Sequence, residues 1–305
     1  MNKRAALALD LGGTNVRVVA VTESGEILAR QHSPTGQRTA SEIYDEIARL
    51  AENCRSAAGA VDLAAFGAAI PTTDVDEGGM LGNLPNIPQL AGTNIKTELG
   101  TRLNLDIIPV NDASAATLGE YWLGASKGTR NAVGITLGTG VGGGLIVDNK
   151  LYVGIGGGAG EIGHITIVRG GEPCGCGRRG CLEQYCSATA IVRRAKEQHL
   201  DAGTSKAVFD LAVSGNAEAK AIFTEMGSYL GLGLSIVNNL LSPDVFVIGG
   251  GVANAWDQFF EPTSSALVEN SLPDRGSRVK IVRALLGDDA GVLGAAKYTF
   301  QQLYT

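Results

Sequence analysis

The sequence predicts an α/β protein made of two similar halves. Two observations carry this reading: apolar, strand-like runs alternate with segments of helical spacing along the 305 residues, and the order strand, Gly-Thr turn, strand, turn occurs twice.

The first half opens with an apolar run over residues 5–9. It passes through "LDLGGTNVR" into "VRVVAVT" and, after a turn at Ser24-Gly25, into "SGEILARQ", a meander of hairpin-linked strands. Residues 40–58 place Ile43, Ile47, Leu50 and Ala51 at helical spacing, with acids early and arginine late, and so predict a helix. A strand in "LAAFGAAI" stops at Pro71, and another in "LDIIPVND" delivers Asn111 and Asp112 at its end. A helix follows from near Ala113. The stretch "NAVGITLGTGVGGGLIVDNKLYVG" then repeats the opening, with its glycine turn near Gly138 and a second turn at Asp148-Asn149. Helices are expected over 187–200, 205–213, 216–241 and 255–270, a buried strand in "PDVFVIGGGV", and a final helix in "DDAGVLGAAKYTFQQL". The boundary is placed near residue 115. This makes an N-terminal domain of residues 1–115, a larger domain of 116–289, and a closing helix, about 290–305, that packs back on the first.

Composition narrows the function. The chain is 44% hydrophobic with a net charge of −6, so it is not expected to hold nucleic acid. The apolar start breaks at Asp10, too early for a signal peptide, and no stretch reaches the roughly 18 apolar residues of a membrane span. A cytoplasmic protein without membrane contact is the expectation. The five cysteines do not suggest a disulfide framework.

Glycines between strands let backbone N–H groups approach a phosphate, because no Cβ intervenes. The turns at Gly12-Gly13-Thr14 and Gly138-Thr139-Gly140, with the cluster Gly249-Gly250-Gly251, suggest a nucleotide held at several points, although any one turn alone reads first as a tight hairpin. "GTGVGG" matches a dinucleotide pattern but is followed by strand rather than helix, and no P-loop lysine motif occurs. His164, Cys174, Cys176 and Cys181 form a Cys₃His set, which fits a tetrahedral, structural zinc with no open position. Cys54 and Cys186 read as ordinary, half-buried thiols. Asp112 has two readings on its own residues: a base beside an attacking hydroxyl, or a helix N-cap.

"LDLGGTNVR", "ITLGTGVGGG" and "VFVIGGGV", with a G-H followed by C-x-C-G-x-x-G-C-x-E, resemble the ROK family of sugar kinases within the actin, hexokinase and Hsp70 superfamily. The resemblance covers essentially the whole chain. It implies two ribonuclease H-like (actin-like ATPase) domains flanking a cleft, with ATP between the hairpins at Asp10, Gly12, Gly13, Thr14, Asn15 and at Gly138, Thr139, Gly140, and with Gly249, Gly250 and Gly251 in the adenosine motif. It implies Mg²⁺ on Asp10 through water, Asp112 as the catalytic base in "VNDASAATLGE", and Asn83, Asn111, Asp112, Glu161, His164 and Glu183 as partners of a hexose's hydroxyls. Zinc on one ring nitrogen of His164 would leave the other for the sugar. The pattern departs from the family at Thr72, where a glycine is usual, and in "PNIPQL", where a tryptophan is frequent.

The implied activity is glucokinase, transferring the γ-phosphoryl of ATP to the 6-hydroxyl of glucose, in a homodimer. N-acetylmannosamine or N-acetylglucosamine kinase is the neighbouring alternative. A sugar-sensing transcriptional regulator of the same family is expected to carry a DNA-binding segment ahead of the first hairpin, whereas this chain reaches its first strand by residue 5. A nucleotide-binding relative without transfer activity would not need Asp112 beside a full set of sugar partners.

Overall fold

The computed structural model describes residues 3–72, 78–82 and 84–303. In chain order the elements are β1 (Lys3–Leu11), β2 (Asn15–Thr22), β3 (Ile27–Pro34), α1 (Ala40–Ala58), β4 (Val61–Ile70), α2 (Ile95–Leu103), β5 (Ile107–Asn111) and α3 (Asp112–Leu123). Then follow β6 (Ala132–Leu137), β7 (Val141–Val147), β8 (Lys150–Leu151), α4 (Glu183–Cys186), α5 (Ala188–Glu197), α6 (Ser205–Val213) and α7 (Ala217–Leu241). The chain closes with β9 (Val245–Gly249), α8 (Trp256–Asn270), β10 (Lys280–Arg283) and α9 (Ala290–Leu303).

The strands form two five-stranded sheets, β3-β2-β1-β4-β5 and β10-β9-β6-β7-β8. Read from β8, the second order is β8-β7-β6-β9-β10, which matches the first strand for strand. β4 lies parallel to β1 and β5 to β4, just as β9 lies parallel to β6 and β10 to β9. The α/β alternation and the duplicated order read from the sequence are therefore both present. α2 and β10 are additions to that reading: α2 is a short helix capped by Asn94, and β10 has only four residues, so neither shows much periodicity.

By density of contacts the chain divides into one compact unit of Met1–Gly128, Gly144–Ala159 and Leu285–Thr305, and a second of Thr129–Gly143 and Gly160–Ala284. α3 runs past residue 115 to Leu123 within the first unit.

In the first unit, side chains alternate across the sheet. Leu7, Leu9 and Leu11 point to one face, where they meet Ile43, Ile47 and Leu50 of α1 and Leu99 of α2. α1 starts at a reciprocal cap in which Thr39 and Glu42 satisfy each other's backbone amides. Ala6, Ala8 and Ala69 point to the other face, against Val292, Ala295 and Ala296 of α9 and Ala115 of α3. These small residues let backbones approach closely, and a Cβ on Gly294 of α9 would overlap the Ala115 carbonyl of α3. In the second unit α7 and α8 pack together as a pair. Cys54 and Cys186 are fully buried rather than half-buried, and burial pushes the Cys54 thiol up to about 11. No helix is long and apolar enough to cross a membrane among the described residues.

Gly294→Ala is expected to destabilise the fold by about 1–3 kcal/mol, because the added methyl forces α3 and α9 apart; denaturant midpoints with an unchanged m-value would measure this. A second expectation concerns pH. Hydrogen bonds from Arg49 and Ser33 hold the Glu46 carboxyl down to about 2, against an ordinary value of 4.5. Its contribution is complete above the ordinary value and is lost as pH falls from there towards 2. With solvent screening, Glu46→Gln should cost about 1 kcal/mol at pH 7 and nothing near pH 2, read from urea melts across that range.

Candidate active site

In the first unit, the turn between β1 and β2 is closed by a hydrogen bond from the Gly12 amide to the Asn15 carbonyl, 2.9 Å. It leaves Gly13, Thr14 and Asn15 exposed. The strand register sets Asp10 opposite Arg17, whose Nη1 donates to the Asp10 carboxylate at 3.3 Å while Nη2 donates to Asp288 at 2.8 Å. Burial raises the Asp10 carboxyl above its ordinary value, and Arg17 opposes that rise. A half-buried carboxylate at the mouth of a glycine turn is a fitting hold for a hydrated divalent cation. Arg17 closes the stretch "LDLGGTNVR" but nothing in the sequence gives it this role, and Asp288 stands in no motif.

β5 runs straight into α3, which fixes Asn111 and Asp112 at the carboxyl end of a strand parallel to its neighbour. Asn111 takes the capping role: its Oδ1 accepts from the Ser114 amide at 2.9 Å, and its Nδ2 donates to the Thr72 carbonyl at 3.0 Å. Asp112 is the first helical residue, and its Oδ1 accepts from the Ala113 amide at 2.8 Å. Thr72, the position where a glycine is usual in the resemblance, is thereby tied to Asn111. Asn83 lies outside the described residues.

In the second unit, the pairing of Thr136 with Gly249 brings the ends of β6 and β9 together, and with them the turn Gly138-Thr139-Gly140 and the cluster Gly249-Gly250-Gly251. Gly250 has φ +85°, and a Cβ there would overlap the backbone of Leu137, so the two stretches can meet only with glycine at this position. A cavity of 600 Å³ opens beside Thr139, lined also by Thr189, Arg193, Lys196 and Ser205.

The donor atoms of His164, Cys174, Cys176 and Cys181 all lie within 4.8 Å of one another. Cys174 Sγ stands 3.7 Å from His164 Nδ1, and the Cys176 and Cys181 sulfurs are 3.7 Å apart. A tetrahedral ion about 2.3 Å from each sulfur requires sulfurs roughly 3.8 Å apart, so the four residues fit such an ion. With Nδ1 turned to the thiols, His164 Nε2 faces Glu161 Oε2 at 3.8 Å. Burial raises the Glu161 carboxyl. Glu183, the first residue of α4, accepts from the Val141 amide through Oε2 at 3.0 Å, and its Oε1 lies 3.9 Å from Cys174 Sγ. One carboxylate thus touches both the cysteine knuckle and the strand that leaves the second glycine turn. Within this unit the structure gathers Glu161, His164, Glu183 and the cysteines. The first unit holds Asp10, Gly12, Gly13, Thr14, Asn15, Asn111 and Asp112.

Comparison with known proteins adds four findings. The model of the ROK family matches residues 6–302. A glucokinase of Halalkalibacterium halodurans is 35% identical over 99% of this chain and 97% of its own length. An N-acetylmannosamine kinase of Yersinia pestis is 34% identical over 95% of this chain and 96% of its own. Among solved structures, a ROK family glucokinase from Streptomyces griseus in complex with glucose and AMPPNP superposes with a TM-score of 0.84 at 31% identity, covering 97% of this chain and 99% of that one. The two mixed sheets are accordingly those of the actin-like ATPase fold.

Cys176 is exposed, so Cys176→Ala removes one metal donor without opening a cavity in the core. The native chain is expected to retain about one zinc ion after dialysis and the variant substantially less, with a lower melting temperature, by elemental analysis and thermal denaturation.

Proposed function

The chain belongs to the ROK family, and from that membership and the placement of Asp112 we propose that it is an ATP-dependent glucokinase, transferring the γ-phosphoryl of ATP to the 6-hydroxyl of glucose. Asp112 is the observation that carries the reading. Asn111 caps α3, so the alternative role of Asp112 as the cap is already filled, and its carboxylate stands at the end of β5.

In this reading Asp112 accepts the proton of the 6-hydroxyl as that oxygen bonds to the γ-phosphorus and the bond to the β,γ-bridging oxygen breaks, releasing ADP. Asn83, Asn111, Glu161, His164 and Glu183 orient the hexose through its other hydroxyls. Within the stretches Gly12 to Asn15 and Gly138 to Gly140, the amides of Gly13, Thr14, Thr139 and Gly140 are offered to phosphate oxygens, since those of Gly12 and Gly138 close the turns, and Gly249 to Gly251 line the adenosine. The cavity beside Thr139 has the size of a small-molecule pocket. Asp10 would hold magnesium through water, where the ion would offset phosphate charge. His164, Cys174, Cys176 and Cys181 would hold a structural zinc, which turns His164 Nε2 away from the thiols. The reading includes a cytoplasmic homodimer without affinity for nucleic acid; its support is the family resemblance and the net charge of −6.

The N-acetylmannosamine kinase relative favours one second reading, in which the same carboxylate acts on an N-acetyl hexose. Coupled ADP release with Mg-ATP separates the two. Glucose is expected to outrun N-acetylmannosamine and N-acetylglucosamine, and Asp112→Asn is expected to lower kcat by about 10²–10⁴-fold. Turnover confined to an N-acetyl sugar would move the substrate to the second reading. Full activity in Asp112→Asn would remove the assigned base.

A further inference from the structure

Both glycine turns are pinned from outside in the same manner, by a threonine. In the first, Thr35 donates its amide to the Thr14 carbonyl at 2.8 Å and its hydroxyl to the Gly12 carbonyl at 2.6 Å. In the second, the Ala188 amide donates to the Gly138 carbonyl at 2.8 Å, and the Thr189 hydroxyl donates to the Thr139 carbonyl at 2.8 Å. Each turn also closes on itself, through Gly12 to Asn15 in one and the Gly138 amide to the Gly140 carbonyl in the other.

The consequence is an asymmetry between acceptors and donors. The carbonyls of Gly12, Thr14, Gly138, Thr139 and Gly140 are all engaged. Among the described residues, the amides of Gly13, Thr14, Thr139 and Gly140 have no acceptor. A carbonyl left loose in either turn could rotate into the space where an anion would sit, because a glycine-flanked peptide turns over at little steric cost. Tying these five carbonyls leaves adjacent N–H groups on offer, with the Gly13 carbonyl outside that set in the first turn, the arrangement of an anion-binding nest.

We propose that Thr35 and Thr189 are positioning residues for nucleotide binding, Thr35 holding the Gly12 and Thr14 carbonyls and Thr189 the Thr139 carbonyl away, so that the neighbouring amides face phosphate. This rests on the kinase reading above. Thr189 also lines the cavity beside Thr139, but its hydroxyl is spent on the Thr139 carbonyl; Thr35 does not line it. Thr189 is exposed at the start of α5, where it neither caps the helix nor fills a core, since Ser187 is the cap. Its hydroxyl therefore has little structural purpose apart from the bond to Thr139. Thr35 is buried, and its substitution carries more risk to the fold.

The test is AMPPNP affinity by calorimetry, without turnover, on the native protein and on Thr189→Val, Thr189→Ser, Thr35→Val and Thr35→Ser, alongside hydrogen exchange of peptides spanning each turn. Loss of one such hydrogen bond is expected to weaken AMPPNP about 3- to 10-fold in each valine variant and to speed exchange at the turn concerned. Serine, which keeps the hydroxyl, should restore both. In steady state the valine variants should raise KM for ATP while leaving KM for glucose and the zinc content at native values. Native affinity in Thr189→Val overturns the proposal for the second turn even if Thr35→Val fails to fold, and native affinity in a folded Thr35→Val overturns it for the first. A native protein that binds no AMPPNP would instead bring down the kinase reading, and the inference with it.

Discussion

A backbone can hold an anion only where its amides are not already bonded within the fold, and that constraint governs how both halves of this chain are built. An ordinary two-residue hairpin uses its turn amides to close itself. Here each turn sits at the end of a central strand, β1 or β6, and is closed by a single bond across the turn, with the carbonyls of Gly12 and Thr14 in one and Gly138 and Thr139 in the other bonded to an outer segment. The parallel neighbours β4 and β9 then bring further residues to the same end of each sheet. In the second unit that neighbour ends in Gly249, level with Thr136, so two glycine stretches far apart in sequence meet through one register.

The same logic places Asp112. β5 lies parallel to β4, and α3 leaves it without a loop, so the helix start is fixed by the sheet rather than by a flexible connection. The small residues Ala6, Ala8, Ala69, Ala115 and Ala295 let α3 and α9 settle close to that sheet. Larger side chains would widen the layer and move the first turn of α3. The alanine-rich face is thus part of how the site is aimed, although none of its members carries chemistry.

Much of this was legible in the sequence, for reasons that differ by residue. Glycine turns, a Cys₃His set and a carboxylate at a strand end are local patterns, and local patterns survive in one dimension. The duplicated strand order was legible because both halves repeat the same turn signals. Thr35 and Thr189 were not, since a single hydroxyl reaching a carbonyl across the fold leaves no periodicity and no spacing. The pairing of Arg17, itself inside "LDLGGTNVR", with Asp288 was hidden for the same reason, as 271 positions separate the partners. The division of roles between Asn111 and Asp112 was also beyond reach. Both residue types cap helices well, and only the observed start of α3 decides which one does.

Glu183 is placed so that one carboxylate could serve structure and the proposed sugar site together. Each carboxylate oxygen has more than one acceptor direction, so a bond from the Val141 amide to Oε2 leaves capacity for a further donor such as a sugar hydroxyl. Its other oxygen faces Cys174, which in turn faces His164 Nδ1. Movement of the knuckle would therefore reach two places: His164 with Glu161 beside it, proposed above as hydroxyl partners, and, through Glu183, the strand leaving the second glycine turn. A metal bound at the knuckle would restrain both at once. In that arrangement a structural ion would fix the relative positions of the groups proposed for sugar and phosphate binding without taking part in the transfer.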